Sequence, residues 1–114
     1  MKDDALYLLH IRESIQKVES YAQDGRECFL RDAKTQDAIL RNLHTLAEST
    51  QRLSAELKQA YTEIDWLGIS GFRNVLVHDY LGINLTRVWE IVNDDLPPLK
   101  AAVEDALRER GLLE

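Results

Sequence analysis

Apolar residues in this chain recur every three or four positions, and nowhere do they alternate with period two for more than a few residues. That spacing follows the helical repeat of about 3.6 and makes half-buried strands improbable. Leu8, Ile11, Ile15, Val18 and Ala22 lie on one stripe and predict a first helix. Asp24-Gly25 supplies turn chemistry, and Arg26 to Arg31 reads as a short helical piece. From about Thr35 onward, Ile39, Leu43, Leu46, Thr50, Leu53 and Leu57 keep the same advance and predict the longest helix. Thr62 with Asp65 resembles a capping box with a shortened acid, after which Ile64, Leu67, Phe72, Val75 and Leu76 carry an apolar face to Gly82.

Asn84 is a suitable N-cap for a last helical stretch carrying Val88, Ile91, Val92, Leu99, Val103 and Ala106, which Gly111 ends. Pro97 deletes an interior hydrogen bond and disfavours helical geometry at Leu96, so this stretch is expected to kink or break at Pro97-Pro98 and restart near Asp94 and Asp95. The economical fold is an all-α, antiparallel four-helix bundle. With 114 residues and 45% apolar content, the chain is sized for a single domain over 1–114.

Composition then removes several classes of function. No apolar run nears the roughly 20 residues that span a bilayer, and the acids of Met1-Lys2-Asp3-Asp4 do not suit a signal peptide, so a cytoplasmic protein without a membrane is expected. A single cysteine, Cys28, excludes an internal disulfide and any multi-cysteine zinc site, and the chain has no glycine-rich phosphate loop. A net charge of −6 argues against a broad basic face, leaving any RNA contact to a local patch for which Arg73, Arg26, Arg31, Lys34 and Arg41 are candidates.

Of the three histidines, His10 and His44 sit beside apolar stripes without a partner at metal-ligand spacing and read as surface or boundary residues. His78 differs. It belongs to Arg73-Asn74-Val75-Leu76-Val77-His78-Asp79-Tyr80, where polar groups crowd the end of an apolar helix. Arg73 and His78 are five positions apart, about 140° around the axis, and Tyr80 lies about 200° beyond His78, so one intact helix does not bring them together. An unwound segment or a second copy of the chain would. Converged, a neutral His78 takes the proton from a ribose 2′-hydroxyl while the Arg73 fork stabilises charge on the attacked phosphate, with neither metal nor cofactor involved. A purely structural reading stays open: Arg73 clamps Glu48 or Asp65, His78 caps a helix C-terminus, and Tyr80 packs as a boundary aromatic.

The Arg-x4-His-x-Tyr pattern, with Asn directly after the Arg, resembles the signature of HepT-type toxins within the HEPN superfamily. The likeness takes in Asn42-Leu43, Ala47-Glu48, Trp66 and Gly71 ahead of the motif, and Trp89 and Asp95-Leu96-Pro97 after it. One departure is Phe72, where many relatives carry methionine, a conservative change on a buried face. The resemblance implies a HEPN-like bundle that dimerises with two motifs facing one cleft, and a metal-independent endoribonuclease acting on RNA as the toxin of a toxin–antitoxin pair. It assigns Arg73 and His78 to catalysis, Asn74 and Asp79 to supporting the active site, and Tyr80 to accepting AMP from a partner nucleotidyltransferase antitoxin of MntA type. Two alternatives remain beside it: a non-catalytic helical dimerisation module, which the acidic balance favours, and a nucleotide-binding module using Arg73.

Overall fold

The structure, a computed structural model, describes residues 3–72 and 84–114. Helix α1 spans Asp3–Ala22, α2 Arg26–Arg31, α3 Ala33–Gln51, α4 Ala55–Ala60 and α5 Trp66–Ser70. Beyond residue 84, α6 spans Leu85–Glu90, a π-helical turn spans Ile91–Asp95, and α7 spans Leu96–Glu109. The described residues contain no strand, in keeping with the all-α bundle read from the apolar spacing.

The stripe Leu8, Ile11, Ile15 and Val18 is wholly buried and packs α1 on α3 and α7. Pairing fixes the directions of these helices. Arg12 meets Glu104 at 3.1 Å while Glu19 meets Lys100 at 3.0 Å, so numbers rise along α1 as they fall along α7. At the other interface Asp4, near the start of α1, bonds Ser54, just past the end of α3. Both neighbours of α1 therefore run antiparallel to it.

The expected longest helix is two elements. Helix α3 has 19 residues against 20 in α1, and it stops at Gln51 although Leu53 and Leu57 are buried as their spacing predicted. Ser54 is the cause: its backbone is extended, its hydroxyl accepts from the Leu57 amide at 3.1 Å, and the same hydroxyl donates to Asp4 at 2.6 Å. The Ser54 amide donates to the other Asp4 oxygen at 2.8 Å. A side chain that caps one helix and anchors to another outweighs the propensity to continue.

Asp4 is 2% exposed. Burial pushes its carboxyl up, but the Ser54 hydroxyl and amide, with Arg110 nearby, more than offset this and hold it below its ordinary 3.8. A carboxylate depressed on folding adds stability that is complete above its unfolded pKa and is lost as pH falls through the folded one. Asp4→Ala is therefore expected to cost about 2 to 3 kcal/mol at neutral pH, the range for hydrogen bonds to a buried charge. Urea titrations at pH 7 and below pH 3.8 check this, because the difference between variant and parent should shrink in acid.

Two further expectations move by a few residues. The cap near Thr62 is Asp65 itself, whose carboxylate accepts from the Gly68 amide at 2.9 Å and starts α5; a Cβ at Gly68 would collide with that carboxylate. The expected extension of this helix through Val75 and Leu76 to Gly82 lies outside the described residues. The interruption expected at Pro97-Pro98 falls just ahead of the prolines, and the α-helix resumes at Leu96, next to the Asp94 and Asp95 where the restart was expected. Ile91–Asp95 forms a π-helical turn, with the Leu96 amide reaching back to the Ile91 carbonyl, and both prolines sit in the first turn of α7. Amides in a first turn have no α-helical acceptor to lose, so proline is tolerated. The extra residue also corrects the stripe: an unbroken α-helix would place Asp95 four positions after Ile91 on the core face, whereas here Leu96 takes that place at 2% exposed.

Helix α7 ends as predicted at Gly111. Its φ of 73° allows the Leu112 amide to reach the Leu107 carbonyl at 2.9 Å and its own amide to reach Arg108 at 3.0 Å, a Schellman motif. The Asn84 cap also holds, its side chain accepting from the Arg87 amide at 3.1 Å.

Candidate functional site

Arg73, Asn74, His78, Asp79 and Tyr80 all lie outside the described residues. What the structure does describe is the framework on either side of them. On the incoming side, α4 and α5 are locked together by Trp66, whose indole N–H is shared between the carbonyls of Lys58 at 3.2 Å and Tyr61 at 3.1 Å. Tyr61 in turn is buried, and its hydroxyl faces Asp105 at 2.8 Å and Glu109 at 3.0 Å on α7. Burial first, and then these two carboxylates, push its phenol well above the ordinary tyrosine value. The platform ends at Phe72, 2% exposed, directly before Arg73. The buried face expected for Phe72 is therefore present.

On the outgoing side, α6 is fixed by Trp89, whose ring packs at 5.5 Å from that of the fully buried Phe29 of α2. Residues that carried the likeness outside the motif thus build the frame: Trp66 and Trp89 pack, Asn42 donates to the Ala38 carbonyl at 2.8 Å, and Ala47 is buried. Of the groups named as possible clamps for Arg73, Asp65 caps α5 and Glu48 is exposed.

A cavity of about 240 Å³ lies between the two sides, lined by Glu63, Asp65, Phe72, Arg87, Asp95 and Pro98 among others. Arg87, which sequence reasoning passed over, is the one cation among its described lining residues. Its guanidinium lies 3.6 Å from Glu90 and 3.8 Å from Asp95, both beyond hydrogen-bonding range. The signal was present in the sequence, since Arg87 stands three residues past the Asn84 cap and opens the helix that leaves the motif. Burial pushes the Asp95 carboxyl above its ordinary value; Arg87 pulls against this, while Asp94, Asp65 and Glu90 add to it.

The other proposed basic contacts, Arg26, Arg31, Lys34 and Arg41, are all exposed, and Arg31 faces Glu27 at 3.8 Å. His10 is exposed and His44 half-buried, in keeping with surface or boundary roles. No cluster of three or more His, Cys, Asp or Glu that could hold a metal occurs among the described residues. No helix among them is long and apolar enough to cross a membrane.

Comparison with known proteins extends this frame. A protein of Methanocaldococcus jannaschii, whose name joins a gamma-glutamylcyclotransferase to a provisionally assigned RNase, is 34% identical over 95% of this chain; the chain spans about half of that relative, 49%. A probable ribonuclease HepT of Thermococcus cleftensis is 33% identical over 86% of this chain and 90% of its own length. A provisionally named RNase of Caldanaerobacter subterraneus subsp. tengcongensis is 28% identical over 96% of this chain and 98% of its own. No solved structure matches the chain. Residues 11–106, from the first buried stripe through the motif to the last, match the family described as Ribonuclease HepT-like. An all-helical frame among the described residues, with tryptophan-anchored elements preceding and following the Arg-x4-His-x-Tyr segment in the chain, is in keeping with that match, and the chain belongs to the HepT-like ribonuclease family of the HEPN superfamily.

Proposed function

We propose that this single-domain protein is a cytoplasmic toxin, a metal-independent endoribonuclease silenced when an MntA-type nucleotidyltransferase partner transfers AMP to Tyr80. The observation that carries the reading is the family match over residues 11–106, which includes the whole Arg73 to Tyr80 segment. His78 acts as general base on a ribose 2′-hydroxyl; the 2′-oxygen then attacks the adjacent phosphorus as the bond to the 5′-oxygen breaks. Arg73 carries the charge that develops on the phosphate, and Asn74 and Asp79 support the two. The angular separation of Arg73 and His78 on a helix supports a homodimer, in which a second chain completes each cleft.

The test is cleavage of single-stranded RNA by the purified protein in excess EDTA, with its mass measured by light scattering. Cleavage that persists in EDTA by a species of twice the chain mass is the expected result. A monomer at micromolar concentration removes the shared cleft, and a dimer that never cuts RNA favours the non-catalytic dimerisation module.

A further inference from the structure

We propose that Arg87 is a substrate-binding residue, holding an RNA phosphate at the cavity it lines with Phe72; this rests on the ribonuclease reading above. Three observations converge on it. Arg87 lines the same cavity as Phe72, and Phe72 immediately precedes Arg73 in the chain. It is the one cation among the described residues that line it, in a protein whose net charge of −6 leaves a polyanion few places to land. Its side chain is 47% exposed, and among the described residues its guanidinium approaches carboxylates only at 3.6 and 3.8 Å, without a side-chain hydrogen bond.

The surrounding acids give the site its particular character. Glu90, one turn along α6, and Asp95, on the π-helical turn, approach the guanidinium without forming hydrogen bonds. Flanking charges at that range restrict the fork without spending its donors, and a bidentate phosphate is the acceptor that a planar guanidinium fits best. Glu63 and Asp65 also line the cavity, so the phosphate must compete with carboxylates for Arg87. Asp95 is the lining carboxylate that approaches the guanidinium, at 3.8 Å, and its burial works against its charged form.

This competition produces a test by sign. If the Arg87–Asp95 contact were only structural, losing either partner would act in the same direction. If Arg87 binds RNA and Asp95 opposes it, the two losses act oppositely. Affinity for a short fluorescent single-stranded RNA would be measured across a salt series in the His78→Ala background, which prevents cutting. Arg87→Gln is expected to weaken binding about tenfold at low salt and to lower the slope of log affinity against log salt by about 0.7. Asp95→Asn is expected to tighten binding by about two- to fivefold. Lys17→Gln, the same loss of charge at an exposed residue that does not line the cavity, serves as the control.

An Arg87→Gln slope equal to the parent's, or equal effects from Arg87→Gln and Lys17→Gln, overturns the proposal while leaving the ribonuclease reading intact. If the unsubstituted protein neither cuts nor binds RNA, the ribonuclease reading itself falls and takes Arg87 with it. Unfolding midpoints of all variants separate lost binding from lost structure.

Discussion

Replacing His78 with alanine is expected to reduce RNA cleavage by about 10²- to 10⁴-fold, the range for loss of a positioned general base. Arg73→Ala is expected to cost about 10²- to 10³-fold, the range for removing one stabiliser of developing negative charge. The double variant should be little worse than either single one, because a base and a charge stabiliser acting on one phosphate work as a unit. Stability should not follow activity. The described core, from Leu8 through Leu107, is closed by α1, α3 and α7, so both variants should unfold near the parent's denaturant midpoint. A His78→Ala protein that cuts RNA at the parent's rate in EDTA would end its catalytic role. One that unfolds would favour the helix cap instead.

Tyr80 is the second site with a large expected effect. Incubation with ATP, magnesium and the partner nucleotidyltransferase should raise the protein's mass by adenylate, and the modified peptide should be the one containing Tyr80. Each adenylate places about one phosphodiester negative charge in a cleft where RNA phosphate must bind, so modified protein should lose cleavage by about tenfold or more. Tyr80→Phe should escape both the mass increase and the inhibition. The other tyrosines are unequal controls. Tyr61 is buried, with its hydroxyl committed to Asp105 and Glu109, and Tyr7 is half-buried against His10 and beneath Arg52. Tyr21, 39% exposed, is the informative one. A mass increase that survives Tyr80→Phe and maps to Tyr21 would move the switch to α1.

The parts of the fold that were legible in the sequence are those where one local rule decides. The stripe from Leu8 to Val18, the Asn84 cap and the Gly111 terminus each follow from spacing or from a single residue's conformational preference. The parts that were not legible depend on contacts distant in the chain. Leu53 and Leu57 continue the period of α3 faithfully, and only the meeting of Ser54 with Asp4, fifty positions earlier, ends that helix. At the prolines the better clue was the spacing of Val88, Ile91, Leu96 and Leu99, whose five-residue step marks an extra residue, rather than Pro97 itself. The candidate site divides in the same way: the roles of Arg73, His78 and Tyr80 come from a sequence resemblance, whereas Arg87 emerged only once α5, α6 and the π-helical turn were seen around one cavity.

A helix that already holds one surplus residue is a helix that can give it up. Loss of any single position between 92 and 95 would let the turn after Ile91 close in the ordinary α manner, with Leu96 then arriving four places later instead of five and still on the core face. Chain length at this point is therefore free to drift by one without disturbing Val88 and Ile91 on one side or Leu99 and Val103 on the other. The adjoining turns have no such slack. A residue lost between 99 and 103 would swing the rest of α7 by about 100°, carrying Ala106 and Leu107 off the core and parting Tyr61 from Asp105 and Glu109. Insertions and deletions tolerated by evolution should thus collect in the few positions ahead of the prolines and stop abruptly behind them.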